Sequence, residues 1–330
     1  MLYIKPDSKE AAFHFAVEEY LLDHSAIDQP IFMIWQTERT AMLGLYQVVS
    51  AEVDREYAKE AGIKIVRRQS GGGTIFTDPG TLLYTLILPQ AGSDLQAVLR
   101  EKLAGPVASA LGKLGIPAKV EGRNDILVEG KKVSGLAQYA RRGRVCTHGS
   151  LLYDTDLDML AAVLQVDEEK ILSKAIKSVR SRVTNLREYI ATPVSTQEFW
   201  TLLEQKLAEH WELEEYKLNE TDLAKVNEIY NQKYANPDWT FGRDPKFTLR
   251  GVKRFPAGKV EVYLEVAEGK AIACTICGDF LGTAPIRELE SAFEGKAFNR
   301  EAIADALAGV DTRPYLGDIT REQLLSCIFD

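Results

Sequence analysis

Arg67-Arg68-Gln69-Ser70-Gly71-Gly72-Gly73 brings two cations, a hydroxyl and three consecutive glycines together in one short run. Glycines let a backbone approach a ligand closely and take up positive φ. Amides turned outward in such a loop donate to an anion's oxygens, and arginine forks pair with carboxylate or phosphate. The chemistry suited to this run is anion binding. It lacks the GxxxxGK pattern of a phosphate loop and the GxGxxG of a dinucleotide fold. A plain glycine hairpin with basic neighbours is the alternative. Cys274-Thr275-Ile276-Cys277 has the spacing of a redox or zinc pair, without a second pair or a nearby histidine to complete it. On a strand, residues three apart face opposite sides, so these read as structural thiols.

The elements that position these residues follow from the hydrophobic pattern. The glycine run sits between two apolar strands, Ile63–Val66 and Leu82–Leu88, which predicts a place inside a sheet. Asp7-Ser8-Lys9-Glu10 has capping-box spacing ahead of Phe13, Ala16, Val17, Tyr20 and Leu21 at helical intervals. Strands are predicted at Pro30–Gln36 and Arg39–Leu45, then a helix over Ser93–Leu114 that Pro106 should kink or split. A strand-rich block follows at Ala118–Val120, Ile126–Glu129, Lys132–Tyr139 and Val145–Tyr153, with a hairpin turn in Arg141-Arg142-Gly143-Arg144. Helices return at Leu157–Leu164, Thr196–Glu212 and Thr221–Tyr234. Asn236-Pro237-Asp238 and Arg243-Asp244-Pro245 are turn signals. Strands Phe247–Phe255, Lys259–Ala267 and Lys270–Gly278 precede helices Ile286–Phe293, Arg300–Leu307 and Arg321–Ile328, which reads as a small α+β domain.

At 330 residues the chain is long enough for one large domain plus one small one. A net charge of −8 argues against an extended nucleic-acid footprint. Four cysteines are too few for a disulfide scaffold of this size. The N-terminus has no apolar signal core and no stretch is long enough to span a bilayer, so the expectation is a cytoplasmic protein that engages neither nucleic acid nor membrane.

The glycine run resembles the RRxSGGG signature of lipoate–protein ligases, and further motifs match in the family's order. Asn124-Asp125-Ile126 precedes Gly130-Lys131-Lys132-Val133-Ser134-Gly135; Thr147-His148-Gly149-Ser150-Leu151-Leu152 is similar to an HGTLL strand. Ser178-Val179-Arg180-Ser181-Arg182-Val183-Thr184-Asn185 is similar to an SVRSRVTN loop. Trp239-Thr240-Phe241-Gly242 and Lys253-Arg254-Phe255-Pro256 resemble stretches leading into the family's C-terminal domain. The resemblance covers essentially the whole chain. It implies an α+β architecture: a biotin/lipoyl protein ligase catalytic fold, class II tRNA synthetase-like, over residues 1–245, and a small α+β accessory domain over 246–330.

The resemblance also implies roles. Lys132 would be the catalytic cation, binding the lipoyl carboxylate and the adenylate phosphate, whereas Lys131 should point to the opposite strand face. Arg68, Ser70, Gly71, Gly72 and Gly73 would form the ligand-binding part of the glycine signature, with Thr77 nearby. Asn124 and Asp125 would hold the adenine end and the magnesium-bound phosphates, and a hard oxygen-ligated cation suits Asp125. Ser134, Gly135, Ala137, His148 and Gly149 would lie along the ligand. Glu18 and Trp35 would line the lipoyl tunnel, and Arg180 would sit on a loop closing over the adenylate. Each has a plainer alternative: a solvated strand lysine, an Asn-Asp turn, a core histidine, scaffold positions for Glu18 and Trp35, or an ordinary surface loop. Thr77 replaces the family's usual histidine. Thr81, Leu83, His14 and the Gly44-Leu45-Tyr46-Gln47-Val48 stretch depart from it as well.

The implied activity uses ATP and Mg2+ to convert lipoate to lipoyl-AMP. The lipoyl group then passes to a lysine of a carrier, either the acyltransferase subunit of a 2-oxoacid dehydrogenase or a glycine-cleavage H-type protein. An ATP-independent octanoyl- or lipoyl-transferase of the same fold is an alternative. It is disfavoured because residues 121–125, Glu-Gly-Arg-Asn-Asp, hold no cysteine and Cys146 follows the GKK segment. A non-catalytic acyl-adenylate or lipoyl-domain binder is the third reading.

Overall fold

A computed structural model describes residues 1–23, 27–89, 94–164, 180–242 and 247–330. In chain order its strands are β1 (Leu2–Ile4), β2 (Ile31–Trp35), β3 (Thr40–Leu43), β4 (Lys64–Arg67), β5 (Ile75–Thr77), β6 (Thr81–Pro89) and β7 (Ala118–Glu121). These are followed by β8 (Asp125–Val128), β9 (Lys131–Arg141), β10 (Arg144–Leu152), β11 (Glu214–Glu215), β12 (Leu249–Phe255), β13 (Gly258–Ala267) and β14 (Lys270–Gly278). The first helix, α1, runs over Ala11–Asp23.

Eight strands make one sheet in the order β11-β1-β2-β6-β10-β9-β8-β7. Its central strands are apolar on both faces because both faces are covered. Phe32, Ile34, Leu82, Tyr84 and Leu86 pack with the helices Gly105–Lys113 and Thr196–Ala208 on one side. Ile31, Met33, Trp35, Leu83 and Ile87 pack with α1 on the other. A second sheet, β4-β3-β5, closes over the α1 side with its own core of Ala41, Leu43, Ile63 and Phe76. The third sheet, β12-β13-β14, is an antiparallel meander backed by helices Ile286–Ser291, Arg300–Ala306 and Arg321–Phe329. The fold is α+β, with a separate small C-terminal layer, as the sequence predicts. The division expected between residues 245 and 246, and the Arg243-Asp244-Pro245 turn, fall outside the described residues.

Several local expectations are corrected. The glycine run is a loop joining β4 to β5 within the small sheet, whereas the expected flanking strand at Leu82–Leu88 is β6 of the large one. The helix predicted from Ser93, itself outside the described residues, contains a π-helical stretch, Val98–Ala104, in place of a kink at Pro106. There Gly105 N–H donates to the Arg100 carbonyl, and Pro106 begins the following helix, where its missing N–H costs least. The Asn236 turn starts a short helix, Pro237–Phe241, whose Asp238 N–H is accepted by the Asn236 side chain. The hairpin at Arg142-Gly143 is as predicted, with both residues at positive φ, 48° and 72°. Cys274 and Cys277 do face opposite sides of the C-terminal sheet: Cys274 joins the helix-backed core, and Cys277 packs with Val48 and Tyr263.

Candidate active site

A cavity of about 180 Å³ opens between the two sheets of the larger unit. Its apolar wall is Phe15 of α1, Trp35 of β2, Met42 of β3, Ile75 of β5 and Leu83 of β6. The opposing wall is Gly135, Leu136 and Ala137 of β9 with His148, Gly149 and Ser150 of β10. Arg68, Gly72, Gly73 and Thr74 of the glycine loop, with Asn124 and Lys132, complete the lining. Thus the strand-like motif at 132–137, the His148 motif and the glycine run, remote in sequence, meet around one space. Lys131 is not among its lining residues.

Lys132 is half-buried, and its Nζ lies 2.8 Å from Asp125 Oδ1. This is a charge contact off the line of a hydrogen bond, since Asp125 Oδ1 is buried without an aligned donor. Gly135 makes room for the lysine: a Cβ there would sit 2.7 Å from Lys132 Nζ and 2.8 Å from its Cε. Asn124 is fixed by a 2.6 Å bond from its Nδ2 to the Leu136 carbonyl and by the Leu136 N–H returning to its own carbonyl. Val183 forms a bridge beside Lys132, and Thr184 N–H donates to the Lys132 carbonyl, so the end of the 178–185 loop docks against this lysine. Ser178 and Val179 of that loop lie outside the described residues. Arg180 is exposed and held by Asp158 through two 3.0 Å bonds, away from the cavity.

The two arginines have different work from a simple anion clamp. Arg67 is fully buried and donates to the carbonyls of Gly44, Leu45, Gln47, Trp239 and Thr240. Arg68 donates to the Met42, Gly71 and Gly73 carbonyls and to Ser70 Oγ. Burial, with Arg67 next to it, lowers the Arg68 guanidinium to about 10, which leaves it charged at neutral pH. Gly72 takes φ +90°, and its N–H is accepted by the Phe280 carbonyl of the C-terminal layer. The loop is therefore braced from inside by Arg68 and capped from outside by Phe280.

Behind the cavity runs a buried polar chain. Ser70 Oγ is 2.7 Å from His148 Nε2, and His148 Nδ1 is 3.0 Å from Glu18 Oε2. Glu18 accepts from Thr85 Oγ1, which accepts from Trp35 Nε1. Of the expected ligand-lining residues, Glu18 and Ser70 thus stand behind His148, and Gly71 behind Gly72. Ser134 turns to the opposite face and bonds Tyr84 at 2.6 Å. Thr77 is buried on Thr37, and Thr81 on Asp78 and Thr155, so neither reaches the cavity. Phe15, Met42, Ile75 and Leu136 were not singled out from sequence. Phe15, three residues before Glu18 on α1, was findable from helical spacing.

Comparisons with known proteins give the chain a family. The sequence profile of the Lipoyl protein ligase A/B catalytic domain matches residues 10–208, and that of the Bacterial lipoate protein ligase C-terminus matches residues 244–328. Lipoate-protein ligase LplJ of Bacillus subtilis is 38% identical, with 100% of each chain covered. Among solved structures, a bi-partite lipoate protein ligase from Thermoplasma acidophilum, studied with its E2 lipoyl domain, superposes with a TM-score of 0.67 at 29% identity, over 75% of this chain and 98% of that one. A lipoate-protein ligase A bound with ATP gives 0.63 at 27% identity, over 73% and 98%. On the two profile matches and the full-length relative, the chain belongs to the lipoate–protein ligase family, as an enzyme of that class.

Proposed function

We propose that the protein condenses lipoate with ATP to form lipoyl-AMP and pyrophosphate, and then transfers the lipoyl group to a carrier-protein lysine. The observation that carries this reading is the lining of the cavity: an apolar wall of Trp35, Leu83, Phe15 and Ile75 shares one space with Lys132. A long apolar acid lying in that space presents its carboxylate to Lys132. One fixed cation between carboxylate and α-phosphate reduces their repulsion during attack, and afterwards polarises the acyl–phosphate carbonyl. Asn124, Gly72 and Gly73 line the cavity where the adenylate would lie, and Arg68 keeps the glycine loop in shape. Asp125 Oδ1, without an aligned donor, is an oxygen of the kind Mg2+ accepts, and it would hold an Mg2+ ion whose charge would offset that of the phosphates. Val183 and Thr184 anchor the 178–185 loop beside Lys132, suited to excluding water from the mixed anhydride.

The relative solved with ATP and the one studied with its E2 lipoyl domain support the choice of nucleotide and of a lipoyl-domain acceptor. The acceptor would be an acyltransferase subunit of a 2-oxoacid dehydrogenase or a glycine-cleavage H-type protein. Residues 1–245 would form the catalytic domain and 246–330 the accessory one. Among the described residues no helix is long and apolar enough to cross a membrane. The test is pyrophosphate release by purified protein, which should require lipoate, ATP and Mg2+ together. Acyl transfer from octanoyl-carrier protein without ATP would overturn the ligase reading.

A further inference from the structure

Cys146 takes no part in the reaction proposed above, yet it lies in the densest cluster of ligating side chains among the described residues. One ligand atom each from Glu18, Cys146 and His148 lie within 4.8 Å of one another, and all three residues are buried. Two strands and a helix make the convergence. Cys146 and His148 are two apart on β10 and share a face, and Glu18 of α1 packs over that face. Tyr139 stands directly across from Cys146 in the β9/β10 ladder, its ring centroid 6.2 Å from that of His148. Its hydroxyl is buried beside the Cys146 thiol.

We infer that Glu18, Cys146 and His148 form a binding site for a thiophilic divalent cation such as zinc, with the Tyr139 hydroxyl beside the fourth position. The donor set of carboxylate oxygen, thiolate and imidazole is the one zinc takes, at about 2.0–2.3 Å from each ligand. His148 Nδ1 already faces Glu18, while its other nitrogen, Nε2, is held by Ser70. That outer hydrogen bond fixes the ring as ligating histidines are usually fixed. A dication between a carboxylate, a thiolate and a neutral imidazole leaves the site with no net charge, which suits a buried position. The metal binds the thiolate, so the Cys146 proton leaves as the metal enters. The cavity beside His148 provides a route inward.

The test needs no substrate, so its failure would leave the ligase reading untouched. Metal-free protein is titrated anaerobically with Co2+ and followed by absorption. A near-ultraviolet thiolate-to-cobalt band saturating at about one equivalent is expected, with release of about one proton as cobalt binds, and zinc should abolish the band without further proton release. The band should vanish in Cys146→Ser and survive in the Cys274→Ser plus Cys277→Ser protein. Glu18→Gln, which keeps size and shape, should weaken cobalt binding at least tenfold without removing the band. Ser70→Ala should weaken it roughly 10–100-fold by freeing the imidazole. Circular dichroism confirms that each variant is folded. No near-ultraviolet band in folded wild-type protein, or its persistence in Cys146→Ser, would overturn the site.

Discussion

Single side chains in this molecule are defined more by where burial puts them than by their chemical type. His14 lies fully buried against Trp35, with ring centroids 4.4 Å apart. Burial lowers it from 6.5 to about 4, against the Ser8 carbonyl that it contacts at 2.8 Å. The unfolded chain therefore binds a proton that the folded one refuses between these two values. Stability present above pH 6.5 falls as pH drops toward 4, by about 3 kcal/mol in all. In His14→Gln, equilibrium unfolding should show a flatter acid limb across that window. Lys132 illustrates the other extreme, a half-exposed cation that contributes little to packing. Lys132→Ala should abolish lipoate-dependent pyrophosphate release at an unchanged melting temperature, whereas Lys131→Ala, off the cavity, should stay within a fewfold of wild type. Equal losses in the two would remove Lys132 from the mechanism.

At the scale of elements, β9 and β10 place most of the site, and their small residues decide what fits. Because the Lys132 side chain lies where a Cβ of residue 135 would go, Gly135→Ala should push the ammonium away from Asp125. The displaced atoms are the far end of a flexible chain, so the fold should survive. Adenylate formation should drop tenfold or more with little change in melting temperature, and steady-state kinetics beside thermal unfolding will check it. These strands were legible in the sequence because their apolar patterns are long, and the lysine–glycine spacing came from the family motif. Less legible was the brace formed by Arg67. A buried arginine bonded to five carbonyls has the same letters as one waiting for an anion, and only the turn at Gly44–Gln47 and the short helix carrying Trp239 and Thr240, distant in sequence, reveal the difference. β1 and β11 were missed because strands of three and two residues carry too little pattern. Thr77 and Thr81, expected near the nucleotide, are taken up by threonine and aspartate partners that no local pattern announces.

Across the whole molecule, the C-terminal layer is tied to the larger unit at several points. Tyr46 stacks on Phe280 at 4.9 Å, Arg123 donates to the Ala257 carbonyl, and Gly278 N–H reaches the Tyr46 carbonyl. Among these contacts sits Glu52, facing Lys259, Glu261, Asp279 and Arg254; burial raises it from 4.5 to about 7, with Lys259 opposing. A carboxyl raised on folding favours the folded form fully below pH 4.5 and loses that advantage as pH climbs through 7. Stability of the joined protein should therefore decline over that window, and Glu52→Gln should remove the decline, as measured by thermal unfolding at a series of pH values. A Glu52→Gln protein with an unchanged pH profile would mean that Lys259 holds the carboxylate charged throughout. The existence of a second layer was readable from strands followed by helices, but its grip on the glycine loop was not, since that contact is made by a backbone carbonyl.

The Phe280 carbonyl that accepts Gly72 N–H has a consequence for how the chain is held together. Among the described residues the interface combines the Tyr46–Phe280 stack, the packing of Val48 on Tyr263 and Cys277, the Glu52–Lys259 pair and several main-chain bonds, and the connection at 243–246 keeps its two sides at an effective concentration on the order of millimolar. Cutting the polypeptide there would turn an intramolecular contact into a bimolecular one. Two co-expressed halves should then reassemble only above a threshold set by their dissociation constant, and dilution should separate them while the uncut chain stays joined. Analytical ultracentrifugation of the severed pair over a range of concentrations would measure how much of the molecule's unity resides in its covalent linkage.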